Sequence, residues 1–314
     1  MTSSVSFVQA RQIQLGRKWM PCGGFFAVDG TAYPGSPNAP TPILDNGSGF
    51  WSGFSSGMVG GLTNLLDGLW ASFCIAYEAS TVPMWSSVQQ ARGYLVACID
   101  NFAKWFYGKF GFWPPICLSG YSQGSMVTDQ VWLLDILSPN GALHYLAPYV
   151  YRIYQFGHIF RNPGNARGNV LAGLPESIST DGVETGGIGC ELDNTNEQVA
   201  LLAPDGQPIM TSTANKGDIY GACPTGLEPW SLNTLANPAK TGRLFFKVVM
   251  DPTPIDVIEL VEVIQTPIAS IEEGIATAEF FAQGNNSPHY QYYAQMDACI
   301  NDAYQLGLSL PHTI

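Results

Sequence analysis

The 314-residue chain is 46% hydrophobic and only 12% charged, which places it far from a disordered chain or a coiled coil, with ample length to bury a core. Its formal net charge of -12 repels phosphate backbones and anionic membrane surfaces, so nucleic-acid binding is excluded as its main role. The seven cysteines show no C-x-x-C spacing, which gives no sign of a metal knuckle or a redox motif.

Residues 1–18 lack the apolar core of a signal peptide, and no apolar stretch reaches the roughly 20 residues of a membrane span. The expected product is therefore soluble, and it reaches a target outside the cell that makes it only if something else releases it. Arg11, Arg17 and Lys18 form the largest basic cluster, too small for a nucleic-acid patch.

Phe25–Val28 reads as a buried strand ending in the turn Asp29-Gly30-Thr31, followed by a long Gly/Ser/Pro/Asn-rich loop over 35–61. A second strand is expected at Phe73–Tyr77, and a helix at Ser86–Tyr107, entered after Pro83 and closed by Gly108. Pro115–Gly120 is a third strand. Gln123–Leu137 follows as a helix with Val127, Val131 and Leu134 on one face, stopped at Ser138-Pro139. Further strands are expected at Val150–Phe156 and Pro208–Ala214. Alternation of this kind predicts an α/β fold with a mostly parallel central sheet covered by helices on both faces. From Pro254 the pattern turns helical, with Ile264, Ile268, Ile271 and Ile275 near one stripe, and 254–283 reads as a helical insertion packed beside the sheet, or equally as an ordinary covering helix of the core, kinked or divided at Pro267. The chain is read as one domain over 1–314.

Gly120-Tyr121-Ser122-Gln123-Gly124 fits G-x-S-x-G, in which the serine occupies a strained turn from strand to helix and the glycines let the two approach. The apolar run Ile116-Cys117-Leu118 before it and the amphipathic helix after it supply the context the motif requires, which makes Ser122 a candidate nucleophile. A serine hydroxyl needs a base to take its proton and a third group to hold that base. Four histidines are available. His144 reads as a surface residue, and His312 lies near the end of the chain. His158 follows a strand near the carboxyl edge of the sheet and is a rival. His289, in a turn-rich loop, completes the chain order Ser, Asp, His with Asp218, which stands in Lys216-Gly217-Asp218-Ile219-Tyr220 after a strand. Asp193 and Asp205 sit in polar loops and read as solvated.

The elbow at 120–124, Gly-Asp-Ile-Tyr at 217–220, a His some seventy residues later, Val28-Asp29-Gly30-Thr31 and Gly187-Ile188-Gly189 together resemble the mycobacteriophage lysin B family, relatives of cutinases. The resemblance covers roughly residues 25–289. It implies an α/β-hydrolase that cleaves the ester joining mycolic acids to arabinogalactan, detaching the outer membrane of the host at phage lysis. It further implies Ser122 as nucleophile, Asp218 as orienting acid and His289 as base. The mechanism expected of such an elbow places the oxyanion on the backbone N–H of Gln123, the residue after the nucleophile, and on a second N–H from the first-strand loop, Thr31, and needs no metal or organic cofactor. One departure stands out: where that family has Gly-Asn-Pro after the strand that follows the elbow, this chain has the interrupted run Gly157-His158-Ile159-Phe160-Arg161-Asn162-Pro163. Two other roles are compatible with the same residues. One is a virion tail-tip component that binds or locally opens the host envelope, with other virion proteins as partners. The other is a general lipase or cutinase.

Overall fold

The computed structural model describes residues 21–30, 66, 69–75, 77–79, 84–180, 182–190, 201–224 and 287–311. In chain order its strands are β1 (Gly24–Val28), β2 (Ala71–Ile75), β3 (Ile116–Tyr121), β4 (Val150–Phe156), β5 (Ser179–Thr180), β6 (Val183–Gly186), β7 (Met210–Thr213) and β8 (Cys223–Pro224). Five of them form one sheet in the order β2-β1-β3-β4-β7, and every neighbouring pair is parallel. β1 and β3 are buried along their whole length, as strands covered on both faces must be, and this accounts for their largely unbroken apolar character.

The chain passes from β1 outward to β2, then returns across β1 to β3 and continues through β4 to β7 on the other side. Strand order thus reverses between β1 and β3. In open parallel sheets, sites form outside the carboxyl ends of the strands at such a reversal. Ser122 follows β3, and Asp29-Gly30 follows β1.

Helices cover the two faces. On one side α1 (Met84–Phe110) and α2 (Gln123–Gln130) pack against Phe26 and Val28 of β1, with Phe26, Phe73 and Phe102 in mutual ring contact. The short α3 (Arg167–Leu171) lies beside β7, where Asn169 Nδ2 donates to the Ala214 carbonyl at 2.8 Å. On the opposite face α4 (Tyr293–Ser309) packs Cys299, Ala303 and Leu306 against Phe25, Ala27 and Trp70, and the Trp70 indole donates to the Ala303 carbonyl at 2.9 Å. Alternate residues of β1 therefore serve different layers, as the two-residue period of a strand dictates.

Several sequence expectations shift in detail. The second strand lies two residues earlier than expected, at Ala71–Ile75. α1 runs through Gly108 to Phe110, and it is Gly111, with the left-handed φ of 82°, that ends the helix. The helix after the elbow is α-helical only to Gln130 and continues as a π-helical segment, Val131–Leu137. Its wider turn breaks the expected stripe: Trp132 and Ile136 are buried while Leu134 is 45% exposed. Strands β5, β6 and β8 form a small antiparallel sheet, order β5-β6-β8, that periodicity did not predict because two of its members are two residues long. The 35–61 loop, the basic cluster at 11–18, Thr31, Asp193, the 254–283 insertion and His312 lie outside the described residues. Among the described residues no helix is long and apolar enough to cross a membrane.

Candidate active site

Ser122 stands between β3 and α2 with φ 53° and ψ -119°, a conformation that costs a non-glycine residue roughly 1–3 kcal/mol and persists only where its surroundings enforce it. The enforcement is visible. The Ser122 N–H donates to the Phe156 carbonyl of β4 at 2.9 Å, and the Ser122 carbonyl accepts from Ser125 Oγ at 2.5 Å and from the Ser125 N–H at 2.9 Å. The flanking glycines are demanded by contact: a Cβ at Gly124 would lie 2.0 Å from the Val28 carbonyl oxygen, and one at Gly120 would lie 2.6 Å from the Gly124 oxygen. Gly30 presses on the nucleophile from the β1 side, where a Cβ would lie 2.8 Å from Ser122 Cβ.

This packing yields a test. Gly124→Ala forces α2 away from backbone atoms of β1, which cannot yield as a flexible side chain would. The variant should lose about 1–3 kcal/mol of stability, measured by urea denaturation. An unchanged urea midpoint would refute the contact argument.

His289 lies in a 3-10 turn, Pro288–Tyr290, just before α4. Its backbone is held at both ends: the N–H donates to Ser287 Oγ at 3.3 Å, and the carbonyl accepts from the Tyr121 hydroxyl at 3.0 Å. The imidazole sits against the rings of Tyr121 and Tyr220, at centroid separations of 5.1 and 4.8 Å. Gly157 lies beneath it with φ 54°, and a Cβ there would lie 2.8 Å from His289 Cε1. The interrupted run after β4 thus keeps its glycine where the ring needs the space.

Three of the expected residues come together. His289 Nε2 is 2.9 Å from Ser122 Oγ, and His289 Nδ1 lies 2.9 and 3.0 Å from the two carboxylate oxygens of Asp218. All three are buried, with Ser122 7% exposed, His289 4% and Asp218 0%. Asp218 also accepts the Tyr220 N–H at 2.9 Å and the hydroxyl of Tyr292. Burial alone would raise the Asp218 carboxyl. The adjoining His289 and the hydrogen bonds from His289, Tyr292 and Tyr220 outweigh that and hold it below the ordinary carboxylate range. Gln123 is the first residue of α2 and is wholly buried, so its main chain adjoins the serine at the positive end of the helix dipole.

The rival histidine belongs to a separate network. His158 is 3% exposed, with Nε2 2.5 Å from Asp129 Oδ2 and Nδ1 2.7 Å from Ser212 Oγ. Asp129 in turn accepts from Gln155 Nε2 at 3.0 Å, and Gln155 Oε1 accepts from Thr128 Oγ1 at 3.0 Å. These bonds tie α2 to β4 and β7. His144 is exposed, its Nδ1 2.9 Å from the Ile136 carbonyl. Asp205, expected to be merely solvated, instead pairs with Arg152, whose guanidinium also reaches Asp302 of α4.

Two residues at the site had no signal in the sequence. Tyr292 is one. Arg161 is the other: fully buried, it donates to the Gly221 carbonyl at 2.9 Å and to the Thr185 carbonyl at 2.7 Å, bracing the Asp218 loop against β6. Burial lowers its guanidinium to about 10, so it remains a cation at neutral pH. The Gly187-Ile188-Gly189 loop has the same bracing role, with the Ile188 N–H on the Tyr220 carbonyl at 2.8 Å.

The fold is similar to that of a solved structure. The crystal structure of lysin B from mycobacteriophage D29 superposes with a TM-score of 0.55, covering 90% of this chain and 100% of that one at 23% sequence identity. The fold is that of lysin B, an α/β-hydrolase. In sequence, endolysin B of Mycobacterium phage L5 is 32% identical over 91 residues, which are 29% of this chain. That match spans only 34% of the L5 endolysin B. No family model matches the chain. The lysin B-like character expected from the elbow and the Gly-Asp-Ile-Tyr loop is thus found again in both comparisons.

Proposed function

We propose that the chain, as one α/β-hydrolase domain, is a serine esterase that cleaves the ester between mycolic acids and arabinogalactan in the mycobacterial envelope. The observation that carries the reading is the continuous Ser122–His289–Asp218 hydrogen-bond chain at the reversal of strand order. The similarity to an endolysin B and a lysin B of mycobacteriophages supports the envelope as target and release at lysis as the route to it.

In this mechanism Ser122 Oγ attacks the ester carbonyl as its proton passes to His289 Nε2, and Asp218 holds the Nδ1–H tautomer and stabilises the imidazolium. The tetrahedral intermediate collapses, the C–O bond to the sugar breaks, and His289 returns the proton to the leaving alcohol. Water then attacks the acyl-enzyme, again losing its proton to His289, which passes it back to Ser122 as the free acid leaves. The oxyanion is held by the N–H of Gln123 and by a second N–H from the loop after β1, assigned to Thr31. The contact of Gly30 with Ser122 supports that loop as the source of the second donor. No step draws on a metal or an organic cofactor.

The test is mass spectrometry of lipid released from a mycolate-bearing envelope by the wild type beside Ser122→Ala. Free mycolic acid is expected from the wild type alone. Release of ordinary fatty acids without mycolate would make the chain a general lipase. No release of either, with the protein bound to the envelope, would make it an envelope-binding protein.

A further inference from the structure

Tyr292 immediately precedes α4, and its ring is wholly buried, edge-on to Phe156 at a centroid distance of 6.3 Å. Its hydroxyl donates to Asp218 Oδ2 and accepts the backbone N–H of Asn215 at 3.2 Å. A phenol has one proton to give. With a backbone N–H occupying the oxygen's acceptor side, that proton is directed at the carboxylate. Gly221 leaves room for the contact, since a Cβ there would lie 3.1 Å from the Tyr292 oxygen.

The surroundings fix this geometry from both directions. Asn215 Nδ2 donates to the carbonyls of Pro288 at 3.0 Å and Gln291 at 2.8 Å, and its Oδ1 accepts from Gln295 Nε2 at 2.6 Å. The residue that orients the tyrosine hydroxyl therefore also clamps the turn carrying His289.

The geometry points to Tyr292 as a positioning residue that, through its O–H bond to Asp218 Oδ2, moderates the pull of that carboxylate on the His289 imidazole. The role in catalysis rests on the serine-esterase reading above. A carboxylate shared among donors offers each less electron density, so the tyrosine weakens the hold of Asp218 on an imidazolium and leaves His289 readier to give up its proton. It also fixes one carboxylate oxygen, so that Asp218 cannot rotate away from the ring. A residue that merely filled space would do neither.

The other titratable groups around the ring, among the described residues, are Tyr121 on β3, Tyr220 on the Asp218 loop and Tyr290 beside it, with Arg161 acting on Asp218 through space. Burial, with the charge of Asp218 added, pushes the Tyr292 hydroxyl far up, so it remains a donor throughout the working pH range. Burial, with the charges of Asp218 and Tyr290 added, pushes Tyr220 up to about 12.

The experiment compares the full chain with Tyr292→Phe and with 3-fluorotyrosine placed at position 292, which keeps the shape and makes the hydroxyl a stronger donor. In Tyr292→Phe the acid limb of the kcat/KM profile on a nitrophenyl ester should move to higher pH by about one pH unit, with kcat about tenfold lower. In the fluorinated protein the limb should move to lower pH. Titration of the His289 imidazole by NMR should move in the same directions whether or not substrate is turned over. If Tyr292→Phe does not fold, the fluorinated protein decides the matter alone. Profiles and titrations that superpose on the wild type would overturn the inference and leave Tyr292 a packing residue. A wild type inert towards esters and towards a fluorophosphonate probe, but with the imidazole titration still shifted by the variants, would overturn the esterase reading and leave the coupling standing.

Discussion

Ser122→Ala is expected to lower ester hydrolysis by about four to six orders of magnitude while the protein remains folded. The size of the loss follows from the geometry: with the hydroxyl removed, His289 has no proton to accept and no acyl-enzyme forms, so only binding and the oxyanion site are left to favour attack by water. At 1.36 kcal/mol for each factor of ten, that is roughly 5–8 kcal/mol of transition-state stabilisation. Stability should change by no more than about 1 kcal/mol, because alanine keeps the φ of 53° and the backbone bonds to Phe156 and Ser125, and loses only the bond to His289. Steady-state hydrolysis of a nitrophenyl ester, with thermal denaturation alongside, reads both numbers. Activity within tenfold of the wild type would exclude Ser122 as nucleophile.

The elbow was legible in the sequence because its requirements are local. An apolar strand, two glycines with no room for a Cβ and a following helix all lie within twenty residues, and each leaves a mark in composition. β1 and β4 were legible for a related reason, since strands buried in a parallel sheet are short apolar runs bounded by turns. Asp218 and His289 were legible only through chain order and a family motif, because 71 residues separate them and nothing in either segment states that they meet.

What the sequence did not disclose depends on contacts between distant segments. Tyr292 reaches Asp218 across 74 residues, and Arg161 reaches Gly221 across 60, so neither carries a local pattern. The change to π-helix at Val131 is hidden because its residues suit an α-helix equally well. Only the packing reveals it, by turning Leu134 outward. The two-residue strands β5 and β8 are too short for any period to show. His158 was misleading in another way: nearness to the strand ends made it a rival base, whereas its ring is engaged on both nitrogens by Asp129 and Ser212.

The two histidines should consequently separate by the kind of damage they cause. His289→Ala should cost about as much activity as Ser122→Ala, and the double variant should be little worse than either, because a nucleophile without its base and a base without its nucleophile fail at the same step. His158→Ala should leave the folded enzyme within about tenfold of wild-type activity, since no atom of that ring is bonded to Ser122, Asp218 or His289. Its cost should appear in stability. Asp129 is completely buried, and removing the ring strips Oδ2 of its 2.5 Å partner while Oδ1 keeps only Gln155. Leaving a buried acceptor without its hydrogen-bond partner costs about 1–3 kcal/mol, as no water replaces the lost partner. The loss should be felt across α2, β4 and β7 together, since these are the elements the network joins. Urea denaturation measures it, and ester hydrolysis per folded molecule measures the other half of the claim. An inactive but stable His158→Ala beside a nearly silent His289→Ala would exchange the two assignments, and with them the reading of Asp218 as the group that orients the base.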